Sequence, residues 1–282
     1  MEEQLLRVWQ LRHGFPPLPM ELADVSLDAV SRRLPQGFYT TFRTFGNCTC
    51  VLDLKHHLMR LYGPAAAQGL RPAVDEQELR GLLRRLLEGY RPFDEARVRV
   101  SLSAQEAPGS MAITIEPLKR LPDEVYRDGV RVVTTAAFRA DPRLKSTAFI
   151  AQSDRERQAV AQGGAFEGLI VLRGRILEGL TSNFFYVRGA ALGTAQCGIL
   201  LGVTRRLVLR LARQASLRIE YHALRVATIG SISEAFISSS SRGIVPVVAV
   251  DGQQVGSGRP GALTQDLMRR YLDYVTRRTD LI

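Results

Sequence analysis

Between Pro117 and Glu124 the chain carries two prolines and a run of charged residues with no apolar periodicity, and on both sides of that break strand-like and helix-like stretches are interleaved. Proline continues neither a helix nor a central strand, so the break reads as a junction. A chain of 282 residues can bury a core on each side of it. The expected architecture is therefore α/β (α+β) in two domains: a small one over 1–117, a linker over 118–124 and a larger one over 125–282. In the first half, aromatic and β-branched residues over 37–45 predict a strand, Gly46-Asn47 a turn, and 48–54 a returning strand. Helices are expected over 56–66 and 75–90, the second with Leu79, Leu82, Leu83, Leu86 and Leu87 on one face and Asp75 as its cap. Strands over 97–103 and 111–116 follow. The second half predicts strands over 129–135, 168–173, 183–187, 235–239 and 245–250, and helices over 146–162, 204–215 and 261–277.

Of 38 basic residues only Lys55, Lys119 and Lys145 are lysines. Arginine supplies charge but cannot lose its proton in a protein, whereas lysine can deprotonate and attack a carbonyl. Each retained lysine is thus a candidate nucleophile, and context favours Lys145, which lies upstream of Glu178-Gly-Leu-Thr-Ser-Asn183.

The net charge of +10 suits an anionic partner. Its arginines are spread over the whole length, without a basic tail or an aromatic-interleaved patch, which disfavours nucleic acid. Cys48, Cys50 and Cys197 are too few for a disulfide framework. The first two alternate in the expected strand and so point the same way, but a metal site would need more ligands, and no metal is expected. No apolar run approaches a membrane span. The acidic start, Met1-Glu2-Glu3, lacks a signal-peptide core, so the cytoplasm is the expected location. There is no P-loop motif.

Three local features suit one kind of ligand. Gly202-Val203-Thr204 opens the expected helix, whose N-terminal amides form an anion seat unless Thr204 is simply its cap. Ser238-Ser-Ser-Ser241 follows a strand and offers hydroxyls and amides, and Glu178, placed in a turn, offers a carboxylate. A phosphate seat, a carboxylate and a rare lysine are together what pyridoxal phosphate requires.

Glu178-Gly-Leu-Thr-Ser-Asn-Phe184 followed by Ile199-Leu-Leu-Gly-Val-Thr-Arg205 resembles the fold-type IV (class IV) pyridoxal-phosphate family. That family includes branched-chain and D-amino-acid aminotransferases and aminodeoxychorismate lyases. His57-Leu-Met-Arg60-Leu61, Phe236-Ile-Ser-Ser-Ser-Ser241 ahead of Pro246-Val247, and Val250-Asp251-Gly252 add to the match. The resemblance implies a D-amino-acid aminotransferase-like fold and a homodimer. It makes Lys145 the Schiff-base lysine and Glu178 the partner of the pyridine nitrogen. Arg60, Val203, Thr204, Ser239 and Ser240 become phosphate ligands, and Thr181, Ser182 and Asn183 line the cofactor. Tyr39 falls at the position facing the substrate, and Arg43, or more weakly Arg97 or Arg99, would receive the substrate carboxylate. Ser103-Ala104-Gln105 replaces the Thr-Arg-Gly of D-amino-acid enzymes, and Arg33-Leu-Pro-Gln-Gly37 replaces Phe-Gly-Asp-Gly. The implied function is an aminotransferase acting on an amino acid and a 2-oxo acid. A pyruvate-releasing lyase and a non-catalytic anion-binding protein are the alternatives.

Overall fold

The computed structural model describes residues 6–22 and 26–282. The described residues pack as two compact units, one of residues 6–22, 26–119, 144–152 and 275–282, the other of 120–143 and 153–274.

In the first unit seven strands form one sheet, in the order Asp280–Leu281, Cys50–Val51, Gly37–Phe45, Ala96–Ser103, Met111–Pro117, Arg7–Leu11, Leu18–Met20. Side chains alternate across a pleated strand, so each strand presents two different faces. Phe38, Phe42, Val98, Val100, Ile113 and Ile115 form one core with leucines of the helices Leu54–Ala67 and Glu76–Leu87. Tyr39, Thr41 and Arg43 alternate with these core residues and lie opposite Ser101, Arg99 and Arg97 of the neighbouring strand. Asp75 caps its helix with a reciprocal capping box to Glu78, and the helix gives way at Glu88 to a 3-10 turn, Glu88–Phe93.

The expected strand over 48–54 shrinks to Cys50–Val51. Asn47, Cys48 and Asp53 adopt left-handed backbone angles, which interrupt the pleat. Strand alternation therefore does not govern Cys48 and Cys50: Cys48 is buried and Cys50 half-buried.

A second correction concerns Lys145, expected within the larger C-terminal domain. The segment 144–152 packs with the first unit. Tyr39 N donates to Lys145 O at 2.9 Å, Phe38 bridges to Ser146, and Gly37 N donates to the Thr147 hydroxyl at 2.9 Å. Hydrogen bonds to the start of the strand Gly37–Phe45 thus hold the lysine. The single helix expected over 146–162 accordingly divides into Ala148–Gln152 and Asp154–Gln162, where the chain passes from one unit to the other.

In the second unit the strands Asn183–Arg188, Glu234–Ser239, Gly243–Val250, Val130–Thr135, Glu167–Leu172 and Arg175–Gly179 follow one another in a sheet. The last pairs back onto the first through Glu178 and Asn183, closing a ring. Val132, Leu169, Ile176, Phe184, Ile237 and Val245 form its core. A helix, Asp123–Asp128, begins inside the stretch expected to be linker, with Pro122 as its N-cap.

Candidate active site

In the first unit Thr40 faces the helix Leu54–Ala67. Its hydroxyl lies 2.9 Å from His57 Nδ1 and accepts from an Arg60 guanidinium nitrogen at 3.0 Å. The same Arg60 nitrogen reaches His57 Nδ1 at 3.3 Å. The guanidinium can only donate, so Nδ1 accepts from Arg60 and the Thr40 hydroxyl donates to it. Burial, with the positive charges of Arg60, Lys145 and His56, holds the His57 pKa well below its ordinary 6.5, so the ring is neutral and supplies that acceptor. Thr40 and His57 therefore fix the direction of Arg60.

The sign of this shift has a consequence for stability. Below pH 6.5 the unfolded chain binds a proton at His57 that the folded chain refuses, so stability is retained above 6.5 and lost as pH falls through it. The slope reaches at most about 1.4 kcal/mol per pH unit from this group. Urea midpoints measured at pH 7.5 and 5.5 should show the loss, and His57→Gln should flatten it. An equal pH dependence in the variant would assign the effect to other groups.

On the opposite face of the same strand, Lys145 Nζ lies 4.6 Å and the Arg99 guanidinium 4.7 Å from the Tyr39 ring centroid. Two of the residues carried over by resemblance, Lys145 and Tyr39, thus meet. The arginines fare differently. Arg43 pairs with Glu95, Arg97 with Glu116, and Arg99 with Asp28 at 2.7 Å. Arg99 also donates to Leu27 O, Ser31 and Thr41, which ties it into the scaffold beside Tyr39. Arg43 sits four residues along the strand from Tyr39, about 13 Å at the usual rise. All three are matched by carboxylates that the sequence pattern did not indicate, since their partners are distant in the chain.

In the second unit Glu178 lies in the strand Arg175–Gly179 rather than in a turn, with 2% of its surface exposed. One carboxylate oxygen accepts from Arg139 Nε at 3.1 Å; the other accepts from Leu200 N at 2.9 Å and Asn183 Nδ2 at 3.4 Å. Arg139 compensates a charge that burial alone would penalise. Asn183 also donates to Leu200 O at 2.8 Å, and strand pairing sets Glu178, Asn183 and Ser238 in one row. At Gly202 a Cβ would stand 2.3 Å from the Asn183 side-chain oxygen, so the start of the following helix packs directly on this row.

That helix, Val203–Gln214, has Gly202 as its N-cap and no side-chain cap. Thr204 is therefore not the cap. Its hydroxyl and that of Ser238 are buried, and among the described residues neither has a hydrogen-bond partner. Buried hydroxyls without partners are costly unless something else satisfies them. A helix start without a side-chain cap also leaves amides that can donate to an anion.

Thr181 and Ser182 donate to Glu167 at 2.6 and 3.2 Å. Arg242 joins them, donating to Glu167 at 2.8 Å, to Thr181 at 2.6 Å and to Ser239 at 3.1 Å. Sequence reasoning missed Arg139, Glu167 and Arg242. Elsewhere, Gly256-Ser-Gly-Arg-Pro-Gly261 has the spacing of a dinucleotide loop. The Glu234 carboxylate already accepts from Leu263 N and Thr264 N, so first-turn amides of the helix Ala262–Arg277 that follows are taken.

The family model for amino-transferase class IV matches residues 37–250. D-alanine aminotransferase of Bacillus licheniformis is 27% identical over 263 residues, covering 88% of this chain and 91% of that protein. A branched-chain amino acid aminotransferase of T.th. solved with pyridoxamine 5'-phosphate matches with a TM-score of 0.80 and 21% identity, over 96% of this chain and 95% of that one. A solved chain named provisionally as a 4-amino-4-deoxychorismate lyase matches with a TM-score of 0.72 and 26% identity, over 89% and 95%.

Proposed function

This chain belongs to the amino-transferase class IV family, and from that premise we propose how its own residues carry the reaction. The protein is an aminotransferase that depends on pyridoxal 5'-phosphate and moves an amino group between an amino acid and a 2-oxo acid. When bound, the cofactor supplies an aldehyde that takes up the amino group and a protonated ring that withdraws electrons from the substrate.

Lys145 would hold the cofactor covalently, and its free amine would move the proton at the substrate α-carbon. Glu178, held by Arg139, Leu200 N and Asn183, keeps the ring nitrogen protonated. The amides and hydroxyls of Val203, Thr204, Ser239 and Ser240 hold the phosphate, with Arg60 as the cation. Tyr39 faces the substrate, and Arg99 steadies that ring rather than receiving a carboxylate. The observation that carries this reading is a pair of buried hydroxyls without partners among the described residues, Thr204 at an uncapped helix start and Ser238 in the strand row that contains Glu178. A cytoplasmic homodimer completes the proposal, supported by the family resemblance.

The test is an absorbance spectrum of the purified holoenzyme before and after adding single L- and D-amino acids. Conversion of the cofactor band to that of the aminated form is expected. Pyruvate release from aminodeoxychorismate, with no conversion by any amino acid, would establish the lyase instead; a protein that takes up no cofactor would be an anion-binding relative.

Arg60→Ala should weaken cofactor retention more than it slows turnover. The loss of one charge-assisted contact, about 1.5–3 kcal/mol, corresponds to roughly 10- to 100-fold in affinity. Activity should return with excess cofactor, and its failure to return would give Arg60 another role.

A further inference from the structure

We propose that Arg242 is a positioning residue for phosphate recognition, setting the Ser239 hydroxyl as a hydrogen-bond donor and locking the serine hairpin to the turn over 179–183. The inference rests on the reading of Ser239 as a phosphate ligand. Ser239 pairs with Gly243 at the end of a hairpin, so Ser240, Ser241 and Arg242 form its loop. Arg242 Nε donates to Ser239 Oγ at 3.1 Å. A hydroxyl that accepts from a guanidinium keeps its own proton for another acceptor. Ser239 is thereby left as a donor, polarised by the charge behind it, which is the polarity a phosphate oxygen needs.

The other arm of Arg242 is anchored. Its terminal nitrogen donates to Glu167 at 2.8 Å and to Thr181 at 2.6 Å, while Thr181 and Ser182 donate to the same Glu167 oxygen. Glu167 is buried, and the Arg242 guanidinium also lies 5.4 Å from the centroid of the Phe166 ring. Close packing leaves little slack: a Cβ at Gly179 would stand 2.2 Å from Ser182 Oγ and 3.2 Å from the Glu167 side chain. One guanidinium therefore spans two segments, the turn that leads into Asn183 and the hairpin that bears Ser239. Lysine, with one nitrogen and no fork, cannot serve Glu167 and Ser239 together.

The experiment compares binding of pyridoxal 5'-phosphate with binding of pyridoxal, which lacks the phosphate, to the full chain freed of cofactor. Absorbance titration is the readout, with thermal melting as a check on folding. Arg242→Met should weaken pyridoxal 5'-phosphate binding about tenfold, the scale of one oriented hydrogen bond, and leave pyridoxal binding unchanged. Arg242→Lys should recover only part of the loss. Ser239→Ala should show the same phosphate-selective loss, and the double variant should be no worse than the worse single one. If Arg242→Met weakens both ligands alike, the residue is merely structural and the proposal fails. If Ser239→Ala is phosphate-selective but Arg242→Met changes neither ligand, the proposal fails while the phosphate reading stands. If Ser239→Ala leaves phosphate selectivity intact, the reading of Ser239 itself is wrong.

Discussion

Lys145→Ala should abolish transamination while leaving the chain folded. The side chain contributes the nucleophile and the proton carrier, and loss of the proton transfer alone is worth about 10²- to 10⁴-fold. The backbone that holds the segment does not depend on it, because Tyr39 N donates to the main-chain oxygen of Lys145 and Gly37 N to the Thr147 hydroxyl. Lys145→Arg sharpens the test. A guanidinium keeps the cation beside the Tyr39 ring, now 4.6 Å from Nζ, but cannot form the covalent bond. Both variants should therefore be inactive, and only the alanine variant should lose the cation–ring contact. Borohydride reduction of the wild-type holoenzyme followed by peptide mapping should place the label on Lys145. A label on Lys55 or Lys119, or turnover surviving in either variant, would remove Lys145 from the reaction.

The strand Gly37–Phe45 was legible because it is rich in aromatic and β-branched residues, which pack well on a pleated sheet. The helices Leu54–Ala67, Glu76–Leu87 and Val203–Gln214 were legible too, and Asp75 for a local reason: its capping partner Glu78 is three residues away. What could not be read were pairings across long sequence separations. Glu178 looked like a solvated carboxylate in a turn, because its ion-pair partner is remote in sequence. Arg139, which makes its burial tolerable, lies 39 residues earlier. The same applies to Arg43 and Arg99, whose carboxylates, Glu95 and Asp28, are 52 and 71 residues away. Without those partners a free arginine and a committed one look alike. The family pattern marked Lys145, Glu178 and Thr204 by motif, but it carried nothing about Glu167 or Arg242, which hold Thr181, Ser182 and Ser239.

Glu178→Ala should cost both stability and activity, and the two losses should separate. Removing the carboxylate leaves the guanidinium of Arg139, whose side chain is 8% exposed, without its ion-pair partner, a loss of about 3–5 kcal/mol for a buried pair. Glu178→Gln is not a mild replacement here. An amide must turn its NH₂ either toward Arg139 Nε or toward Leu200 N and Asn183 Nδ2, and each of those groups is a donor. The double variant Glu178→Ala with Arg139→Met removes both charges and fills part of the space, so most of the stability should return in denaturant titration. Turnover should not return with it, because no carboxylate is left to keep the ring nitrogen protonated. Stability and turnover recovering together would mean that Glu178 serves only to neutralise Arg139; stability alone recovering assigns the carboxylate to the chemistry.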